Sequence, residues 1–259
     1  MRTNLIKIEN KQPIVDGKLD MVIAFDTTGS MNSYIGQVKN HVNGLVPQLL
    51  RDNPNMRIGV VAFGDYCDMR SATDFGRAYQ VLQPTDNENE IISFVKNAQD
   101  TGGGDGDEFY ELVIKKITQE TPWREDATKS VLFIADANPH KVGYSYGGIV
   151  QNAQIDWREE AKKASEKGIQ FDTISIHGGT YSWYEELSHI TDGIYTEFKS
   201  SNKTSEYIKT VAYARGGEAT KELFCATMDS FKNDIEMSAV YSVYAKEIVF
   251  KDENYGNKD

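Results

Sequence analysis

Apolar residues along this chain follow two alternating rhythms. The apolar run at 21–25 reads as a buried strand and that at 130–135 as another, and 56–63 and 169–176 read as further strands. Between them, apolar positions recur at steps of three and four residues, the period of a helix. Residues 33–50 carry Ile35, Val38, Val42, Leu45, Val46 and Leu49 at that spacing. Residues 87–98, 107–117 and 156–166 also read as helices, the last ending at Lys167-Gly168, a usual helix stop. Residues 77–82 are polar enough for an edge strand. Residues 183–189 read as a short helix and 194–198 as a short final strand. Strands alternating with helices predict an α/β fold, a doubly wound, mostly parallel sheet flanked by helices.

The pattern changes after residue 200. Residues 218–249 lack Gly and Pro and are rich in helix formers. Leu223, Met228, Phe231, Ile235, Met237, Val240, Val243 and Ile248 give an imperfect apolar stripe, which predicts one or two extra C-terminal helices packed on the sheet or on another chain. The tail, 252–259, is polar and expected to fray. The expected division is a lead-in at 1–19, the α/β domain at 20–199, and a helical extension with its tail at 200–259.

Composition narrows the function classes. A chain of 259 residues with 39% hydrophobic and 26% charged positions can bury a core without disulfides. A net charge of −11 makes nucleic acid and anionic membranes poor partners. No stretch reaches the roughly 18–20 apolar residues of a membrane span. Residues 1–5 carry no apolar signal region, so the expected location is cytoplasmic. There, Cys67 and Cys225 are expected as free thiols.

Three segments carry candidate chemistry. The first strand ends in Asp26, and the following turn offers Thr28 and Ser30 at alternate positions. Hard oxygens gathered above a strand's carboxyl end suit Mg²⁺ or Ca²⁺; a helix N-cap would favour the same residue types. The second segment is Thr101-Gly102-Gly103-Gly104-Asp105-Gly106-Asp107-Glu108. Its glycines let backbone approach an ion closely. Its three acids argue against phosphate, as does the missing Gly-Lys-Ser/Thr ending of a P-loop. The third is the apolar run ending in Asp136, followed by Ala137-Asn138-Pro139-His140. In a doubly wound sheet, ligands sit beyond the carboxyl ends of strands where the strand order reverses, so Asp26 and Asp136 are expected to face one crevice.

Asp26-x-Thr28-x-Ser30 resembles the metal-ion-dependent adhesion site of von Willebrand factor type A (vWA) domains. The Gly-Gly-Gly-Asp run and the Asp-Ala-Asn-Pro-His run resemble the second and third loops of that site in an intracellular branch. This branch includes vWA domains joined to atypical alpha-kinases. The likeness covers residues 20–199. It implies a metal held by Asp26, Thr28, Ser30 and Asp105, with Asp136 acting through water and Thr101 as the alternative to Asp105. Mg²⁺ is the expected ion, with Ca²⁺ or Mn²⁺ as alternatives. The implied function is a non-enzymatic protein-interaction module whose partner offers Asp or Glu to the metal. The implied partner classes are a kinase, a phosphatase or an ATPase in a multi-protein system.

Two other classes compete. A metal-dependent phosphate-ester hydrolase needs a base or nucleophile beside the ion; His140 or a spare acid are the candidates. A dehalogenase-type phosphatase would need a second Asp where Thr28 stands. A structural module would act through its C-terminal helices. The Gly- and Tyr-rich stretch 141–148 suits an adaptable contact surface, and Trp183 and Tyr184 are expected on a partly buried helix, with a place on the rim of the same face as the alternative. Cys67 lies among acids, which disfavours a thiolate nucleophile.

Overall fold

A computed structural model describes residues 16–176 and 182–253, with side chains to 246. The expected lead-in, up to residue 15, and the expected frayed tail, from residue 254, lie outside the described residues. In chain order the elements are β1 (Leu19–Asp26), α1 (Asn32–Asp52), β2 (Met56–Phe63), β3 (Tyr79–Thr85), α2 (Glu88–Asn97), β4 (Asp107–Glu108), α3 (Tyr110–Glu120) and β5 (Thr128–Ala135). There follow β6 (Asn138–Pro139), α4 (Trp157–Glu166), β7 (Ile169–Ile176), α5 (Trp183–Ile190), β8 (Tyr195–Phe198), α6 (Thr204–Arg215), α7 (Lys221–Ser230) and α8 (Ile235–Glu253).

The main sheet has the order β3-β2-β1-β5-β7-β8, all parallel except β3, which runs antiparallel at an edge. The sheet is the doubly wound one that the strand–helix alternation predicts. The chain winds outward from β1 in one direction and from β5 in the other, so the reversal falls between these two neighbours. Their register runs to Phe25 opposite Ile134, which leaves Asp26 and Asp136 just beyond the ladder, at the mouth of the crevice.

Alternation along β1 divides the core. Leu19, Met21, Ile23 and Phe25 face α1, α2 and the C-terminal helices, while Val22 and Ala24 face α3, α4 and α5. Caps set the helix starts. Asn87 Oδ1 accepts from the backbone N–H groups of Asn89 and Glu90 and opens α2; Asp156 accepts from Arg158 and opens α4. The third helix begins at Tyr110 rather than at the expected 107. Residues 107 and 108 instead pair with 138 and 139 in a small parallel ladder.

Helix α6 has no counterpart in the expected elements. It places Tyr207, Ile208 and Val211 in the same core cluster as β1 and α1, so the core continues past residue 200. Met237, Val240, Tyr241 and Tyr244 of α8 join that cluster. An ion pair locks α6 to the sheet. Arg215 donates Nε–H to Asp172 Oδ2 at 2.9 Å and Nη2–H to Oδ1 at 2.5 Å, and both side chains are buried. Asp172 also accepts from the backbone N–H of Ile194 (2.9 Å). Removing one member of such a pair leaves a charge buried without its counter-ion.

Arg215→Met is therefore expected to destabilise the fold by about 3–5 kcal/mol, and Arg215→Met with Asp172→Asn by clearly less. Urea unfolding of both variants checks this. Equal losses would mean that packing, not charge, anchors α6.

Candidate metal centre

Asp26 is fully buried. Its Oδ1 accepts from the Thr28 backbone N–H (2.7 Å) and the Thr28 hydroxyl (2.6 Å); its Oδ2 accepts from the Tyr110 hydroxyl. An ionised carboxylate has about four acceptor positions, and three donors already occupy Asp26. One direct contact to an ion, or contacts through water, are what remain. Ser30 is exposed in the turn after Thr28, and Asp136 is half-buried at the end of β5. The charge of Asp136 acts on Asp26.

The loops are stitched together beneath this site. The hydroxyl of Thr27 donates to the Phe63 carbonyl (2.8 Å) and lies 2.9 Å from the Thr101 hydroxyl. The Thr101 N–H donates to the Thr27 carbonyl (3.0 Å). Thr101, the alternative second-loop ligand, is thus tied to Thr27. Gly64 makes the approach feasible, since a Cβ there would lie 2.4 Å from Thr101 Oγ1. From the other side, Asp68 accepts from the N–H groups of Gly102 (2.9 Å) and Gly103 (3.2 Å) and from Arg77 (3.0 Å).

Glu108 is the buried acid of this crevice that sequence reasoning passed over. It is 5% exposed, and its Oε2 is buried with no hydrogen-bond partner among the described residues. A Cβ at Gly103, where φ is +67°, would lie 2.8 Å from Glu108 Oε1 and 3.4 Å from Thr28 Cγ2. The Glu108 carboxyl and the Thr28 side chain therefore close on the same small space, which only glycine at 103 leaves open. One oxygen of this buried carboxyl is orphaned, the other closes with the Thr28 methyl on one small space, and the charge of Asp26 acts on the group, an oxygen-rich setting that suits a hard cation.

Asp105 has a different set of neighbours. It is exposed; its Oδ2 accepts from the Tyr144 hydroxyl (3.1 Å) and its Oδ1 from the Asp107 N–H (3.2 Å). Ligand atoms of Asp65, Asp105 and His140 lie within 4.8 Å of one another. His140 Nε2 is 2.7 Å from Asp65 Oδ1, and its ring stacks on Tyr144 at 3.6 Å. Burial works against a charged His140 ring, but the hydrogen bond and charge of Asp65 raise its pKa above the ordinary value. Trp183 and Tyr184 are buried under the third loop, both donating to the Ala137 carbonyl, and do not form an exposed rim. Burial, followed by the charges of Asp68 and Asp65, pushes the Cys67 thiol up to about 12, so it is no nucleophile.

Crowding of acids shows in their protonation. Burial is the largest cause raising Asp26 to about 7, against hydrogen bonds from Thr28 and Tyr110 that lower it. Burial also raises Glu108 to about 10, with the charges of Asp26, Asp65, Asp68 and Asp105 adding to it. Burial and neighbouring charge thus favour a proton, or a cation, at Asp26 and Glu108.

A doubly wound α/β domain with acids and hydroxyls at its topological switch point is the class that the fold and crevice define. Residues 20–220 match the von Willebrand factor type A domain, and the chain belongs to that family. It is 23% identical over 198 residues to an ariadne-like RING finger protein of Acanthamoeba polyphaga mimivirus, covering 71% of this chain and 19% of that protein. It is 30% identical over 145 residues to the alpha-protein kinase vwkA of Dictyostelium discoideum, covering 55% of this chain and 22% of that one. The chain thus spans about a fifth of the length of these relatives. The pilus adhesin SpaC of Lactobacillus rhamnosus GG, in its open conformation, superposes with a TM-score of 0.55 at 13% identity. The superposition covers 80% of this chain and 30% of the adhesin, a likeness of fold alone. No helix among the described residues is long and apolar enough to cross a membrane.

Asp26 and Glu108 hold protons more tightly when folded than when unfolded. Their stabilising contribution is complete below the ordinary values of 3.8 and 4.5 and is lost as pH rises through about 7 and then about 10. The melting temperature of metal-free protein is expected to fall between pH 6 and pH 9, with saturating Mg²⁺ removing most of that fall. Parallel slopes with and without Mg²⁺ in a thermal melt series would reject a cation at this crevice.

Proposed function

We propose that this chain is a divalent-metal-dependent protein-interaction module acting inside the cell. The observation that carries the reading is the buried, unpartnered carboxyl of Glu108 beside Asp26 and Thr28 at the switch point. Asp26, Thr28, Ser30 and Glu108 would hold the ion, with Asp136 through water. Asp105 belongs to the rim, where Tyr144 holds it. Mg²⁺ fits the all-oxygen set best, with Mn²⁺ and Ca²⁺ next. A bound cation supplies an open position for an oxygen ligand from outside the chain.

The chain's own residues do the rest. Tyr110 and Thr28 fix the orientation of Asp26. The Thr27–Thr101 and Asp68 contacts hold the second loop against the first. Ser30 and Tyr146 are exposed, and Tyr146 lies against Gly104 of the second loop. The strip 141–148 therefore borders the site, as an adaptable contact surface should. An Asp or Glu of the partner would reach the ion while this strip contacts its flanks. The resemblance to kinase-linked domains supports a kinase, phosphatase or ATPase system as the setting.

Hydrolysis is the weaker reading. Its best base, His140, is 4% exposed, bonded to Asp65, and stacked on Tyr144 with Tyr66 nearby. A base so enclosed has no free path to a water or ester beside Asp26. Assembly through the C-terminal helices is also weaker, because α8 turns Met237, Val240, Tyr241 and Tyr244 into the core, and among its described side chains the large apolar ones left exposed are Ile235 and Val243.

Titration calorimetry should show Mg²⁺ binding that Asp26→Ala abolishes and Glu108→Gln weakens by at least about tenfold. Affinity capture from native lysate should recover a partner with wild type and Mg²⁺, and lose it with chelator or with Asp26→Ala. Capture indifferent to both metal and mutation would refute the reading.

A further inference from the structure

We propose that Asp65, Asp105 and His140 form a second cation site, separate from the Asp26 crevice and suited to a divalent transition metal such as Zn²⁺. The three residues come from the exit of β2, the tip of the second loop and the residue after β6. Their ligand atoms lie within 4.8 Å of one another. Donors around one tetrahedral zinc sit about 3.3 Å apart, given metal–ligand distances of about 2.0–2.1 Å, so the His140–Asp65 hydrogen bond of 2.7 Å would open and release its proton to solvent, the three side chains would take three positions, and water would fill the fourth. One imidazole nitrogen with two carboxylates favours zinc over Mg²⁺ or Ca²⁺, which prefer oxygen alone.

A second observation points the same way. Asp65 is fully buried, yet its Oδ2 has no hydrogen-bond partner among the described residues. A buried His–Asp pair that served structure alone would leave that oxygen orphaned, at a cost of about 1–3 kcal/mol. A metal beside the pair occupies it. The surroundings hold the ligands in place. Tyr144 stacks on the His140 ring and gives its hydroxyl to Asp105, so one residue positions two ligands. The His140 backbone N–H donates to Glu111 Oε2 (3.1 Å), which fixes the main chain behind the ring. A third carboxyl, Glu108, feels the charges of Asp26, Asp65 and Asp105 together.

The test uses the full chain, with equilibrium dialysis against Zn²⁺ in saturating Mg²⁺. Wild type is expected to retain about one zinc per chain. Asp105→Asn, an exposed loop change, and His140→Gln are each expected to weaken zinc by at least about tenfold and Mg²⁺ by clearly less. Asp26→Ala is expected to bind zinc as wild type does. Near-UV circular dichroism confirms that each variant keeps its fold. No retained zinc, or zinc unaffected by Asp105→Asn, would overturn the proposal and leave a His140–Asp65 ion pair only. Zinc lost in Asp26→Ala but kept in Asp105→Asn would also overturn it, since zinc would then be borrowing the other site. Failed Mg²⁺ binding with intact zinc uptake would sink the Asp26 reading and leave this one standing.

Discussion

Repulsion among carboxylates gathered at the carboxyl ends of β1, β2 and β5 is the constraint on which the rest of this structure depends. Asp26, Asp65 and Glu108 are buried there, and Asp68, Asp105 and Asp136 lie around them. Such a group stands only if protons, donors or cations answer each charge. Arg77 answers Asp68, His140 answers Asp65, and Tyr110 with Thr28 answers Asp26. Glu108 is left with an orphaned oxygen. The opposite ends of the strands, by contrast, carry complete ion pairs. There Asp20 receives Arg57 and Arg124 at distances of 2.6–2.8 Å.

Rigidity beneath the site is the counterpart of strain within it. The second loop has three consecutive glycines and no regular structure of its own, yet it is held on two sides. Thr27 grips Thr101 from within, and Asp68 grips the amides of Gly102 and Gly103 from without. Little is left to order when a ligand arrives, and preorganisation of that kind favours tight binding. The third loop is held by Trp183 and Tyr184, which both donate to Ala137.

Much of this was legible in sequence because it is local. An apolar run ending in Asp is readable at Asp26 and at Asp136, and strand–helix alternation gave the sheet that places them together. Glu108 was not legible as a buried member of the crevice. Its segment looks like the first turn of a helix, where acids are favoured anyway, and only the β4–β6 ladder delays the helix to Tyr110 and turns Glu108 inward. Asp65 and His140 are 75 residues apart, and nothing in their separate neighbourhoods announces a pair. Helix α6 escaped for another reason. It buries Thr204, Thr210 and Arg215 along with its apolar residues, so it shows no clean stripe.

The contact between Tyr110 and Asp26 has an optical consequence. The Tyr110 ring lies 5.5 Å from Trp183, whose indole N–H is bonded to the third loop. The crevice carboxylate, a phenol and an indole thus form a short chain of direct contacts. A change in charge at Asp26 alters the phenol's hydrogen bond and, through it, the field on the indole. The molecule therefore carries its own fluorophore within two contacts of the crevice, and occupancy can be followed by intrinsic emission without a label.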